Sequence, residues 1–86
     1  MYTILYTKRS IKDIQNLKAA KLDYKARTLC DSLAINPIPS YSKHLVGNLQ
    51  GKRSIRINLQ HRLVYEILEE KKIVKILSMW SHYGDN

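Results

Sequence analysis

Two apolar stretches that flank a charged turn predict a β-hairpin in the second half of the chain. The first stretch runs from Leu63 to Leu68 and the second from Ile73 to Trp80, with Glu69-Glu70-Lys71-Lys72 between them. Lys75 is the only charged residue of the second stretch, so we expect this strand to be largely buried and central in a sheet. A sheet needs other elements to cover one of its faces, and the preceding residues have to supply them.

The N-terminal segment predicts a strand followed by a helix. Tyr2 to Thr7 mixes β-branched, aromatic and apolar residues, as a strand does. Ser10 lies three residues before Asp13, which resembles a capping box at a helix start. Apolar residues then recur at helical spacing and predict a helix from about Ile11 to about Ala20: Ile11, Ile14 and Leu17.

A second apolar stripe predicts a second helix, with Asp23 as a possible cap. The stripe consists of Leu22, Ala26, Leu29, Cys30 and Leu33. The segment Asn36-Pro37-Ile38-Pro39-Ser40 ends this helix, because each proline disfavours helical backbone in the residue before it. Cys30 lies within the stripe, so we expect a buried and unreactive thiol.

The middle of the chain predicts a loop and then a half-buried strand. Residues 40–53 are polar with two glycines, and we expect the loop to rest on the core through Leu45, Val46 and Leu49. From Ser54 to Leu59 apolar and polar residues alternate, which places Arg56 on the face opposite the isoleucines. The predicted order is β-α-α-β-β-β, an α+β fold with both helices on one face of a mostly antiparallel sheet. We expect a single domain over residues 1–86.

The charge of the chain favours an anionic partner. Net charge is +8, and no acidic residue lies between Asp31 and Glu66. We interpret this one-signed stretch as a nucleic-acid-binding surface rather than a solvated face. Its basic residues are Lys43, His44, Lys52, Arg53, Arg56, His61 and Arg62.

Several classes of protein and site are not indicated. No apolar run approaches the length of a membrane span. A single cysteine permits no internal disulfide and no cysteine-based zinc site, and it fits a reducing cytoplasm. The three histidines are far apart without spaced carboxylates, so we expect no bound metal. There is no phosphate-binding glycine loop and we expect no cofactor.

Three residues at the ends of the predicted hairpin strands suit chemistry on a phosphate. Antiparallel pairing would bring Arg62 towards His82 and Tyr83. RNA cleavage by its own 2′-hydroxyl needs a cation at the phosphorane and an acid at the leaving oxygen, which Arg62 and His82 can supply. Tyr83 can stack on a base or donate a proton, and Arg56 can hold the RNA backbone. Each of these roles has a plainer alternative: Arg62 in a surface ion pair with Glu66, a surface histidine, or a packed or exposed tyrosine.

The last part of the chain resembles a known family. The strings Arg56-Ile57-Asn58-Leu59-Gln60-His61-Arg62-Leu63-Val64-Tyr65 and Met79-Trp80-Ser81-His82-Tyr83, and the loop Leu45-Val46-Gly47-Asn48-Leu49-x-Gly51, resemble the Txe/YoeB branch of the RelE/ParE toxin superfamily. The resemblance implies a RelE-like microbial RNase fold. It further implies the toxin of a type II toxin–antitoxin module, a cytoplasmic, ribosome-dependent mRNA endonuclease that acts in the ribosomal A site. It also implies a cognate antitoxin and, in some members, a homodimer.

The family's catalytic residues fall on matching positions with one exception. The resemblance places its catalytic arginine on Arg62 and its terminal pair on His82 and Tyr83, with an RNA-contacting arginine on Arg56. The branch usually has a glutamate general base before the loop, whereas this chain has Tyr41-Ser42-Lys43-His44. We expect Lys43, His44, Lys52 and Arg53 to contact RNA, and Lys43 or His44 to stand in for the base.

Three other functions fit parts of the sequence. A non-catalytic basic nucleic-acid-binding module would use the acid-free stretch alone, and its function would survive replacement of His82. A gyrase-directed toxin of the ParE class would share the fold but lacks the His-Tyr ending. A catalytically weakened homologue, kept for antitoxin binding, would explain the missing glutamate.

Overall fold

Five strands and two helices make up the part of the chain that the structure describes. The structure is a computed structural model, which describes residues 1–47 and 51–81. In chain order its elements are β1 (Thr3–Tyr6), α1 (Lys8–Ala19), α2 (Asp23–Ile35), β2 (Lys43–His44), β3 (Lys52–Arg56), β4 (Arg62–Leu68), a 3-10 turn (Glu69–Lys71) and β5 (Ile73–Ser81). No helix within these residues has the length and apolar character needed to cross a bilayer.

The sheet has the order β1-β5-β4-β3-β2, in which only β1 and β5 pair in parallel. The predicted α+β class, the β4–β5 hairpin and the interior position of β5 are confirmed. The prediction of an uninterrupted loop over residues 40–53 is wrong, because β2 forms there and β3 begins at Lys52. A two-residue edge strand has no alternating pattern of its own, and β2 forms by pairing with β3.

Helix α1 begins three residues earlier than predicted, and its cap is Thr7. The Thr7 hydroxyl accepts a hydrogen bond from the Ser10 backbone N–H at 3.1 Å. Ser10 is therefore a buried helical residue rather than the cap, and its hydroxyl donates to the Thr7 carbonyl at 2.9 Å. The predicted capping box is wrong, because the carboxylate of Asp13 bonds the backbone of β5 instead.

The helices are separated by a tight turn without glycine. Lys21 has a left-handed backbone with φ of 60°, and the Leu22 N–H donates to the Leu17 carbonyl at 2.8 Å. This six-residue bond is the Schellman pattern that ends helices. Asp23 is the first residue of α2 and not its cap, since Leu22 holds the cap position without a side-chain bond.

Strand β3 ends at Arg56, so the predicted strand to Leu59 is wrong. The Asn58 side-chain oxygen accepts hydrogen bonds from the backbone N–H groups of Gln60 and His61, at 2.9 and 2.7 Å. Such a local bond turns the chain before the alternation is complete. Leu59 is consequently 86% exposed at the tip of the turn.

The helices cover one face of the sheet, and Arg56 lies on the other face. The buried core on the helix side contains Leu17, Ala26, Cys30, Leu33, Ile55, Ile57, Leu63, Tyr65, Val74, Ile76 and Met79. Arg56 is exposed while Ile55 and Ile57 are buried, which confirms the predicted opposition of these side chains. The expected packing of the loop is only partly correct: Leu45 is buried, Val46 is 81% exposed, and Leu49 lies outside the described residues.

Candidate RNA-binding and cleavage site

The β3–β4 hairpin brings two arginines together. Arg56 and Arg62 are directly paired across the two strands. Directly opposite residues of an antiparallel pair share one face of the sheet, with Cβ atoms about 5 Å apart. Arg62 is only 8% exposed, whereas Arg56 is open to solvent. Like charges at this spacing repel each other, and an anion between them would relieve the repulsion.

Further lysines lie on the same face as this arginine pair. The strand registers align Lys43 with Ser54, and Lys52 with Glu66 and Lys75. Parity along β3 and β4 places these residues on the side of Arg56 and Arg62, away from the helices. We call this surface the basic sheet face, and it comprises Lys43, Lys52, Arg56, Arg62, Glu66 and Lys75.

Two residues of this face were missed in the sequence. Lys75 and Glu66 pair directly with each other. The strand alternation held a signal for Lys75, because its neighbours Val74 and Ile76 are apolar and are buried on the helix side. Within the described part of the chain, Glu66 is the one acidic residue on the basic sheet face.

Arg53 and His44 lie on the opposite side of the sheet from Arg62. They pair with each other, and Arg53 also pairs with the core residue Tyr65. The Arg53 Nε donates to the Ser42 hydroxyl at 3.0 Å, and its Nη1 lies 3.4 Å from His44 Nδ1. The structure therefore brings Lys43 and Lys52 together with the arginine pair, but not His44 and Arg53.

The hairpin turn is fastened to the end of β5 by an aromatic stack. The His61 ring lies 3.7 Å from that of Trp80, at an interplanar angle of 15°. His61 is 7% exposed, so its ring is packed within the turn rather than presented on the surface. The backbone of Ser81 pairs directly with Arg62. His82 and Tyr83 follow Ser81 in the chain and lie outside the described residues.

A separate cleft on the helix side contains the only cysteine of the chain. It has a volume of about 240 Å³, and Cys30, Met79 and Leu17 are among its lining residues. Within residues 1–47 and 51–81, no group of three or more His, Cys, Asp or Glu side chains is arranged to hold a metal ion.

The Cys30 thiol is expected to resist alkylation. Burial raises the pKa of Cys30 from 9.0 to about 11, so the reactive thiolate is about 100-fold rarer near neutral pH. The alkylation rate with iodoacetamide at pH 7.5 should be at least this much lower in the native protein than in the urea-unfolded chain, and should rise as the pH approaches 11. Equal rates in the native and unfolded chains would contradict this assignment.

Comparison with known proteins places these features in context. A family model, the ParE toxin of the type II toxin–antitoxin system parDE, matches residues 4–85. The YoeB/ParE toxin from Agrobacterium tumefaciens has the same fold, with a TM-score of 0.85 and 22% identity over 94% of this chain and 99% of that chain.

Two structures from Staphylococcus aureus are more similar in sequence. A YoeB–YefM complex matches with 28% identity and a TM-score of 0.79, over 96% of this chain and 99% of that chain. A YoeB dimer matches with 29% identity and a TM-score of 0.79, over 95% of this chain and 98% of that chain. No curated protein matches by sequence comparison.

Proposed function

This chain belongs to the ParE toxin family of type II toxin–antitoxin systems, and from its His-Tyr ending we propose that it is an endoribonuclease that cuts mRNA on the ribosome rather than a gyrase-directed toxin. The observation that carries the proposal is the pairing of Arg62 with both Arg56 and the backbone of Ser81. This register anchors the residue before His82 opposite the arginine pair. Arg62 would thus supply a cation for a phosphate from β4, and the histidine that follows Ser81 in the sequence would supply an imidazole for proton transfer.

The proposed reaction is attack by the RNA on its own backbone. The 2′-oxygen bonds to the adjacent phosphorus, the bond from phosphorus to the 5′-oxygen breaks, and the products are a 2′,3′-cyclic phosphate and a 5′-hydroxyl. Arg62 stabilises the additional negative charge of the phosphorane, and its burial strengthens this interaction. His82 donates the proton that the leaving 5′-oxygen takes up, and Tyr83 assists. No step requires a metal ion.

The proton of the 2′-hydroxyl needs an acceptor, and the chain lacks the family's usual glutamate. Lys43 lies on the basic sheet face, whereas His44 points to the side of Arg53. Lys43, acting as its neutral amine and becoming the ammonium ion as it takes up this proton, is therefore our candidate for this role. We expect cleavage with a pH optimum that differs from that of glutamate-containing relatives. An identical pH–rate profile would argue against Lys43.

The proposed partners follow from charge and from the relatives. The net charge of +8 favours an antitoxin whose toxin-binding segment is acidic. One S. aureus relative is a YoeB–YefM complex and another is a YoeB dimer. For this chain we propose a cognate antitoxin, homodimer formation, a cytoplasmic location and access to mRNA in the ribosomal A site.

The test is mRNA cleavage by the purified protein with and without ribosomes, with the 5′ ends mapped. We expect cuts only with ribosomes and their loss in His82→Gln. An equally active His82→Gln protein would remove His82 from the mechanism. If the folded wild type binds RNA without cutting it, a non-catalytic nucleic-acid-binding module is the better description. Binding only to an antitoxin would indicate a scaffold.

Arg56→Ala is expected to weaken RNA binding without unfolding the protein, because Arg56 is exposed. The slope of log affinity against log salt concentration is negative, and loss of one phosphate contact should reduce its magnitude by about 1. Titration of a labelled RNA at several salt concentrations measures this slope. Arg27→Ala, an equal loss of charge at an exposed position of helix α2, should leave the slope unchanged. Equal slopes for Arg56→Ala and wild type would show that Arg56 does not contact a phosphate.

A further inference from the structure

Strand β5 departs from a regular ladder just before its end. Tyr65 pairs with Ile76, but Val64 pairs with Ser78 and Arg62 with Ser81. The four residues 62–65 of β4 thus lie opposite the six residues 76–81 of β5, so β5 contains two additional residues in this interval. Extra residues of this kind are β-bulges, which redirect a strand and occur often beside active sites.

The bulges determine which residue of β5 faces Arg62. An unbroken ladder continued from Tyr65 and Ile76 would place Met79 opposite Arg62. In the observed register Ser81 takes that place. At about 3.3 Å per residue, an unbroken ladder would carry Ser81 about 7 Å past Arg62. His82 follows Ser81 directly in the sequence, so the bulges determine which residue of β4 lies opposite the residue before the His-Tyr pair.

Two side chains from the start of α1 bond the backbone of the bulged segment. The Asp13 Oδ2 accepts a hydrogen bond from the Met79 backbone N–H at 2.9 Å. The Thr7 hydroxyl donates to the Leu77 carbonyl at 2.9 Å. A bulge removes backbone groups from the ladder, and buried backbone groups require another partner. Asp13 is only 5% exposed and bonds a residue 66 positions away, so its carboxylate links helix α1 to strand β5.

We propose that Asp13 is a positioning residue for RNA cleavage, because its carboxylate fixes the bulged register of β5 that sets Ser81, the residue before His82, opposite Arg62. This inference rests on the proposed nuclease function. Asp13 contacts no RNA in this scheme and lies on the helix side of the sheet, opposite the basic sheet face. Its removal should therefore impair the chemical step more than the binding of RNA or ribosomes.

The experiment compares wild type, Asp13→Ala, Asp13→Asn and Arg9→Ala in single-turnover mRNA cleavage on ribosomes. Asp13→Ala should cleave about 10- to 100-fold more slowly, the cost of displacing a catalytic group by an ångström or so. The protein concentration for half-maximal cleavage should stay within about 3-fold of wild type, because the substitution removes no contact that binds RNA or the ribosome. Asp13→Asn, whose amide oxygen can still accept the Met79 N–H, should recover to within about 5-fold of the wild-type rate.

Arg9→Ala is the control for the ion pair between Arg9 and Asp13. The Arg9 Nε lies 3.7 Å from Asp13 Oδ2, and Arg9 is exposed. This variant removes the ion pair but keeps the acceptor for Met79, so its cleavage rate should equal that of wild type. A drop as large as that of Asp13→Ala would assign the effect to the ion pair and overturn the proposal.

Hydrogen exchange of the Met79 amide in the free protein links the rate to the proposed cause. We expect faster exchange in Asp13→Ala. A folded Asp13→Ala protein with an exposed Met79 amide and a wild-type cleavage rate would overturn the inference. If Asp13→Ala does not fold, Asp13→Asn decides: its Met79 exchange and its cleavage rate should change together or not at all, and a change in one without the other overturns the inference. If wild type itself cuts no mRNA, the proposed function fails and this inference with it.

Discussion

Arg62→Ala is expected to slow mRNA cleavage on ribosomes by about 100- to 1,000-fold, the usual effect of removing one preorganised donor to a developing anion. Arg62 is nearly buried, so little water competes with its guanidinium for a phosphate oxygen. Its pairing with Arg56 and Ser81 holds it at the meeting point of three strands. Single-turnover cleavage at saturating protein isolates this effect from binding.

Two variants control for the loss of charge and of packing. Arg62→Lys keeps the charge but lacks the planar fork that contacts two oxygens, so we expect a rate between those of wild type and Arg62→Ala. Arg27→Ala removes an equal charge from an exposed position of helix α2 and should cleave at the wild-type rate. Thermal unfolding of each variant identifies any loss of fold. A folded Arg62→Ala protein with wild-type activity would exclude Arg62 from catalysis.

Leu17→Ala is expected to lower the free energy of unfolding by about 2–5 kcal/mol. Leu17 is fully buried on α1 and belongs to the core cluster between the helices and the sheet. For a domain of this size the loss corresponds to a fall in melting temperature of about 10 to 30 °C. Urea unfolding followed by circular dichroism measures the free energy directly.

Ile11→Ala is the matched control on the same helix. Ile11 is 54% exposed, so the substitution removes little buried apolar surface and should cost less than about 1 kcal/mol. The two variants share the same change in helix propensity to within a few tenths of a kcal/mol. Equal destabilisation by both would mean that the core does not depend on the α1 face that contains Leu17.

The sequence contained most of the architecture because long periodic stretches dominate it. The β4–β5 hairpin and both helices followed from apolar spacing. The features that were missed depend on partners distant in the chain. Strand β2 exists through its pairing with β3, and the carboxylate of Asp13 bonds Met79 rather than its own helix start. No local pattern predicts which of two available backbone groups a side chain will bond.

The candidate site was predictable to the extent that strand alternation fixes a face. Alternation separates Lys52 and Arg56 from Arg53, and the structure places them on opposite sides. The acid-free stretch alone predicts one surface that contains all three residues. The pairing of Arg62 with Ser81 could not be predicted, because the bulges in β5 shift the register by two residues. An alternation argument holds only where the ladder is regular.

The parallel pairing of β1 with β5 has a consequence for how the chain folds during its synthesis. Strand β5 inserts between β1 and β4, both of which are synthesised before it. Val74, Ile76 and Met79 all belong to β5 and complete the core beneath the helices. A nascent chain that ends at Lys72 would hold both helices and four strands, but not the strand that joins β1 to β4. The five-stranded sheet is therefore completed only after residues 73–79 have emerged, through a contact between strands from the two ends of the described chain.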